Sequence, residues 1–287
     1  MRECLASFQE RFKRRDITLW ARLGNFIEDL GAWGLCVYMS VLRGCRFIAA
    51  AFASFGRWIR AGVFVRRIDW WAAFDAVGPR AVLIVSLISF LIGLILAFVG
   101  AAQLKLFGAQ VYVASLVAIA AIRIMGAMMT GIIMAGRTGA SYAATIGTMQ
   151  VNEELDALRV MGINQMDYLV LPRLVAMSVC MPILTLLADF VAILGGALVG
   201  CGMFHIPVAE YASYTTQALG MQNFIVGIFH GWVYGIIIAL CGCYYGIHSG
   251  RDAGAVGVAT TRAVVSSIVW MVLATGLITF IFEVLGI

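Results

Sequence analysis

The sequence predicts an all-α membrane protein with five transmembrane helices, preceded by interfacial amphipathic helices and carrying one short amphipathic helix between spans 2 and 3. Three observations predict it. The 287 residues are 62% hydrophobic and only 12% charged, against about 25% charged in a typical soluble domain. The apolar residues gather into five long runs. The basic residues fall almost entirely on one side of those runs. Disorder is excluded, because disordered segments are poor in apolar residues and rich in charge.

The first run, 81–104, contains no charged residue and is long enough to cross about 30 Å of hydrocarbon as a helix. The second, 111–135, is broken only by Arg123, and the third, 174–201, contains Asp189. The fourth, 223–246, lies in a stretch free of Asp, Glu, Lys and Arg, and the fifth covers 263–284. Runs of this length differ from the alternating ten-residue pattern of a barrel, and helices satisfy their own backbone in lipid. Of the 20 Lys+Arg, 13 lie in 1–80, 3 in 136–173 and 2 in 247–262, with Lys105 and Arg123 the remainder. The positive-inside rule then sets 1–80, 136–173 and 247–262 in the cytoplasm and the C-terminus outside.

Residues 1–80 form the first predicted region and 81–287 the second. The first holds 13 basic and 7 acidic residues, interleaved with Trp58, Phe64, Trp70 and Trp71. Such a segment suits an anionic membrane surface better than nucleic acid. Residues 30–56 are apolar enough to suggest a sixth span. Arg43 and Arg46 would lie near its middle, at about 2.5–3.5 kcal/mol each on insertion scales, so interfacial helices are expected instead. Lys13, Arg14 and Arg15 resemble the start of a signal peptide, but Arg22, Glu28 and Asp29 interrupt the apolar stretch that a signal peptide needs next.

Gly227, Gly231 and Gly235 recur every four residues on the fourth span, continued by Gly242 and Gly246, and Gly196 and Gly200 repeat the spacing on the third. This spacing lets helix backbones approach closely. The Cys241-x-Cys243 pair points to two helix faces with no matching ligands nearby, so small buried side chains are expected rather than a metal site. His230 is expected to hydrogen-bond between helices.

Charge returns in 137–173. Val151, Leu155 and Leu158 share a helix face, Asn152 is expected as N-cap with Glu153 and Glu154 in the first turn, and Gly162 as the stop. These signals predict a helix over about 151–162. By pattern alone it either covers the bundle or docks a soluble partner.

The stretch AGRTGASYAATIGTMQVNEELDALRVMGI, then YLVLPRLVA, and the later GRDAGAVGVATTRAVVSSIV closely resemble the MlaE/YrbE permease family, over about residues 81–287. The match is direct at Gly136, Arg137, Gly139, Gly147, Thr148, Glu153, Asp156, Ala157, Leu158, Met161 and Gly162, while Glu154 stands where many relatives have Gln. Asp252, Thr260, Thr261 and Arg262 belong to the second motif. The resemblance implies the membrane subunit of an ABC transporter, carrying phospholipid or similar molecules between the inner membrane and the outer envelope. It further implies a multi-pass homodimer in a bacterial inner membrane, a cytoplasmic ABC ATPase, a periplasmic hexameric MCE ring and a small STAS-domain protein. The 151–162 segment then corresponds to the coupling helix, and Glu153, Glu154, Asp156, Leu158, Arg159 and Met161 are its candidate coupling residues.

The chain departs from that family at 121–127. Relatives commonly have an Arg-Glu pair followed by Pro; here Arg123 is kept, Ile124 replaces the acid and Ala127 the Pro. Asp189, at similar depth, is a candidate partner for Arg123, since lone charges in hydrocarbon pair or face water. Neither Lys13 nor Lys105 stands in a P-loop, so no ATP hydrolysis is expected of this chain and no cofactor; ATP and Mg would belong to the partner ATPase. No enzyme activity and no nucleic-acid partner are expected. An ion-coupled secondary transporter and a membrane anchor for a periplasmic complex are the alternatives.

Overall fold

The computed structural model describes residues 19–61 and 67–286. All regular structure among them is helical: α1 (Leu19–Ala61), α2 (Arg67–Val77), α3 (Pro79–Lys105), α4 (Val113–Ala120), α5 (Gly126–Met134), α6 (Ala140–Val151), α7 (Glu154–Val160), α8 (Leu171–Gly202), α9 (Val208–Ala218), α10 (Met221–Ile247) and α11 (Ala253–Val284). Five stretches are long and apolar enough to cross a membrane: Trp70–Lys105, Val113–Val151, Met166–Gly202, Met221–Ile247 and Ala253–Val284. The expected all-α membrane class and its five spans are therefore present.

The chain divides into two units, Met1–Gly56 and Arg57–Ile287. In the first, the described residues belong to α1, in the region where interfacial amphipathic helices are expected. Tyr38, Val41, Ile48 and Phe52 are exposed at helical spacing, and Arg43 Nε donates to its own helix at Met39 O (3.3 Å). The expectations for Lys13, Arg14 and Arg15 lie outside the described residues.

In the second unit, Pro79 opens α3 where no N–H is needed. Span 2 is the main departure from the sequence-based expectation. It does not stop near 135 but runs to Val151 through two π-helical turns, Ala121–Met125 and Ala135–Gly139. A third such turn, Met166–Val170, leads into α8. The connection expected over 136–173 thus shrinks to α7 and its flanks. The reason is the small, helix-compatible run 139–150, which is polar enough for water yet has no Pro to end the helix.

Lipid tails are as apolar as the side chains, so leaving lipid for a neighbour helix gains little; close packing of small residues holds such bundles. Spans 1 and 3 show this. A Cβ on Gly93 would collide with the Ala192 carbonyl, and one on Gly195 with that of Phe90. The stripe on α10 works likewise. Gly227 lies on the Ile122 carbonyl, Gly231 on Thr185, Gly235 on the Met177 carbonyl (2.7 Å to a built Cβ) and Gly242 on that of Gly139 (2.9 Å). One stripe therefore seats α10 against both span 2 and span 3.

The connections lie at two ends. At one, Ser115 Oγ donates to Tyr214 O (3.3 Å) and the Tyr112 and Tyr214 rings meet at 5.6 Å, so α9 covers the start of span 2. Burial pushes the Tyr211 hydroxyl up to about 12, so it stays protonated and donates to Ile193 O (3.4 Å). At the other end lie α7 and the α10–α11 connection.

Candidate functional site

The chain breaks between α6 and α7 at Glu153, a non-glycine residue held at φ 60°, a conformation that costs roughly 1–3 kcal/mol and persists only where surroundings fix it. Asn152 is not the N-cap expected; it ends α6, and its side chain donates to Glu154 Oε1 (3.2 Å). Glu153 takes the N-cap position. Val151 belongs to α6, so the short helix is Glu154–Val160 rather than 151–162. Gly162 is the stop expected, at φ 72°. Gly162 N–H donates to Arg159 O and Ile163 N–H to Leu158 O, both at 3.0 Å, which is the Schellman closure.

Leu155 and Leu158 point inward and are buried. Leu158, expected among the residues facing a partner, therefore anchors the helix instead. Glu153 and Glu154 are exposed. Beyond them, Val160 is 90% and Met161 64% exposed, an apolar tip in which Met161 is an expected coupling residue and Val160 is not. The signal was present in the sequence: Val160 and Met161 come at the end of the helix, just where Gly162 turns the chain outward.

A polar chain runs beneath this tip. Gln165 Nε2 donates to Leu155 O (2.8 Å), Arg159 donates to Gln165 Oε1 (3.4 Å) and to Asp156 Oδ1 (3.1 Å), and Arg251 donates to Asp156 Oδ2 (2.9 Å). Arg57 pairs with Asp167 at 2.8 Å at the entrance to span 3. Asp252, next to Arg251, caps α11 by accepting from Ala255 N–H (3.1 Å).

Of the other motif residues, Arg137, Gly139 and Gly147 meet neighbouring elements. Arg137 donates to Ala76 O at the end of α2 (3.2 Å). Gly139 lets Ile238 approach, and Gly147 lies against Ser249 and Val256. Thr260 and Thr261 both donate to Gly257 O in their own helix. Gly136 has open space over it, and Arg262 is exposed.

The expected Arg123–Asp189 pair does not form. Arg123 donates to Asn223 Oδ1 (3.0 Å) at the start of α10 and lies 3.8 Å from Glu283 Oε2 near the end of α11. Asp189 is 4% exposed, and its Oδ1, without a hydrogen-bond partner, rests on Gly126. Spans 2 and 3 close so tightly at Gly126 that no guanidinium fits between them. Asn223 and Glu283 were invisible as partners because both lie about 100 or more residues away in sequence. Arg123→Gln and Asp189→Asn are accordingly expected to add in stability within about 0.5 kcal/mol. Melting of both single variants and the double variant in detergent checks this, and a coupling above about 1 kcal/mol would put the charges back in contact.

His230 also differs from expectation. Its Nδ1 bonds Val226 O in its own helix at 2.8 Å, and no partner meets Nε2. Cys241 and Cys243 are free, and among the described residues no group of three or more metal-ligating side chains is gathered.

The profile of the family described as Permease MlaE matches residues 70–281, taking in the first four spans, α7, both motifs and all but the last three residues of the fifth span. The chain belongs to the MlaE permease family. Among its relatives, a protein of Rickettsia typhi named "Probable ABC transporter permease protein" is 36% identical over 203 residues, covering 71% of this chain and 78% of the relative. One of the same name from Synechocystis is 31% identical over 194 residues, 68% of this chain and 74% of the relative. The Arabidopsis thaliana protein TRIGALACTOSYLDIACYLGLYCEROL 1, chloroplastic, is 30% identical over 200 residues, 70% of this chain and 57% of its own length. This MlaE-family chain is thus a multi-pass ABC transporter permease.

Proposed function

We propose that this permease is the membrane half of an ATP-driven lipid transporter. Two copies form its core, a cytoplasmic ABC ATPase docks under each α7, and a periplasmic MCE ring receives or delivers the lipid, with a small STAS-domain protein as a further partner. The observation that carries the reading is the exposed tip of α7: the Val160 and Met161 side chains are exposed, as are Glu153 and Glu154 on the same short segment. An apolar anchor with a charged rim fits a protein partner. Glu153, Glu154, Val160 and Met161 make that contact, while Asp156, Leu158 and Arg159 hold the helix in place.

A hydrophobic cargo accords with the apolar side chains exposed along spans 1 and 5, among them Leu83, Leu87, Leu277 and Phe280, and with the lipid in the Arabidopsis relative's name. The inner membrane and an α7 end facing the cytoplasm agree with the basic residues gathered on that side. ATP and Mg are bound by the partner. Ion coupling through Arg123 and Asp189 acting together has no support in a pair that does not meet.

Purification tests the reading. The wild type is expected to bring down an ATPase and to move phospholipid between vesicles only with ATP and Mg. Glu153→Lys/Glu154→Lys is expected to remain folded and to weaken that attachment about tenfold. Transport that persists without nucleotide but collapses with an ion gradient overturns it.

A further inference from the structure

The candidate coupling acids are not equivalent, and the difference lies in what Asp156 holds. Glu153 and Glu154 are exposed, but the Asp156 carboxylate is taken at both oxygens: Oδ1 by Arg159 and Oδ2 by Arg251. Arg251 belongs to the connection between α10 and α11. Its neighbour Asp252 is the cap on the first turn of α11, so any shift of Arg251 is passed to the start of span 5 through one peptide unit. On the other side, Arg159 reaches Gln165, which in turn donates to Leu155 O and stands immediately before the π-helical turn Met166–Val170 that opens span 3.

The polar chain Gln165–Arg159–Asp156–Arg251 therefore joins α7 to the starts of two spans. The packing beneath it is consistent: Gly147, near the end of α6, lies against Ser249 and Val256, on either side of Arg251. Half-exposed ion pairs of this sort add little to stability, too little to explain four linked side chains as reinforcement. What such a chain supplies is register, because a carboxylate held by two guanidinium groups fixes the position of both.

We propose that Asp156 is a positioning residue that ties α7 to span 5 through Arg251, so that movement of the docked α7 reaches span 5 as well as span 3. This rests on α7 being the ATPase-docking helix and adds which spans receive the motion and by which residues. Asp156 then does not contact the partner; Arg251, remote from α7 in sequence, belongs to the coupling device.

Hydrogen exchange on the complete permease–ATPase complex tests it. In the wild type, ATP and Mg are expected to change amide exchange over 251–258 at the start of α11. Asp156→Asn and Arg251→Gln should each keep the ATPase attached, raise exchange there severalfold and abolish the nucleotide response. The double variant should be no worse than either single one, and Arg251→Lys should retain the response. Loss of attachment in Asp156→Asn with attachment kept in Arg251→Gln overturns the proposal, since Asp156 would then be a docking residue. A nucleotide response surviving in both variants overturns it too. Failure of the underlying reading is distinguishable, because the wild type itself would then bring down no ATPase.

Discussion

Replacing both Val160 and Met161 by glutamate is expected to release the permease from its ATPase. The two side chains, at the end of α7 and just beyond it, are exposed at 90% and 64%, while the buried Leu155 and Leu158 fix the helix. Nothing in the fold depends on them, so the variant should insert and melt like the wild type. At an interface, burying a carboxylate in place of an apolar anchor removes the anchor's contribution of about 2 kcal/mol or more and adds an unpaired charge. The affinity should fall at least thirtyfold. Titrating purified ATPase onto membranes of each variant measures it. Attachment as tight as the wild type's, with the double variant properly inserted, would falsify docking through this tip and leave α7 as a cover for the bundle.

Gly227→Leu is expected to disrupt the bundle itself. A side chain there would be driven into the Ile122 carbonyl, and backbone cannot step aside as a flexible side chain can. Ile122 lies in the π-helical turn that also carries Arg123, and Asn223, one turn earlier on α10, receives the Arg123 guanidinium. Pushing α10 off span 2 would thus break the Arg123–Asn223 hydrogen bond as well. Overpacking commonly costs 1–3 kcal/mol, and with the lost bond the total should reach about 3 kcal/mol or more. The expected result is a steep fall in folded yield and in the melting temperature in detergent. Gly276→Leu, on a glycine of α11 with open space around it, serves as the comparison and should melt near the wild type. Equal losses at both positions would mean that helix propensity, not close approach, decides the effect.

The contrast between these glycines shows how far the sequence reads. Spacing alone marks Gly227, Gly231 and Gly235 as a packing stripe, because the helical period puts them on one face whatever the partner. It cannot say that span 2 meets Gly227 and again Gly242 while span 3 meets Gly231 and Gly235 between them. In the same way, the capping chemistry of Gly162 is local and legible, whereas the choice of Glu153 over Asn152 as cap depends on α6 running on to Val151. Arg123 and Asp189 are legible as costly charges in lipid. Their partners are not, since the contacts that satisfy or isolate them are made by residues far along the chain.

By itself, then, the amino-acid order determined the number and nature of the spans, the one-sided distribution of positive charge and the family motifs. These come from transfer free energies and from a backbone that must satisfy itself in hydrocarbon, both properties of short stretches. Only the tertiary structure decided that Arg123 reaches Asn223 and Glu283, that Asp189 is closed onto Gly126, and that Asp156 is held by Arg251. Side-chain partnership depends on which helix faces which at about 3 Å, a distance that no spacing along one chain encodes.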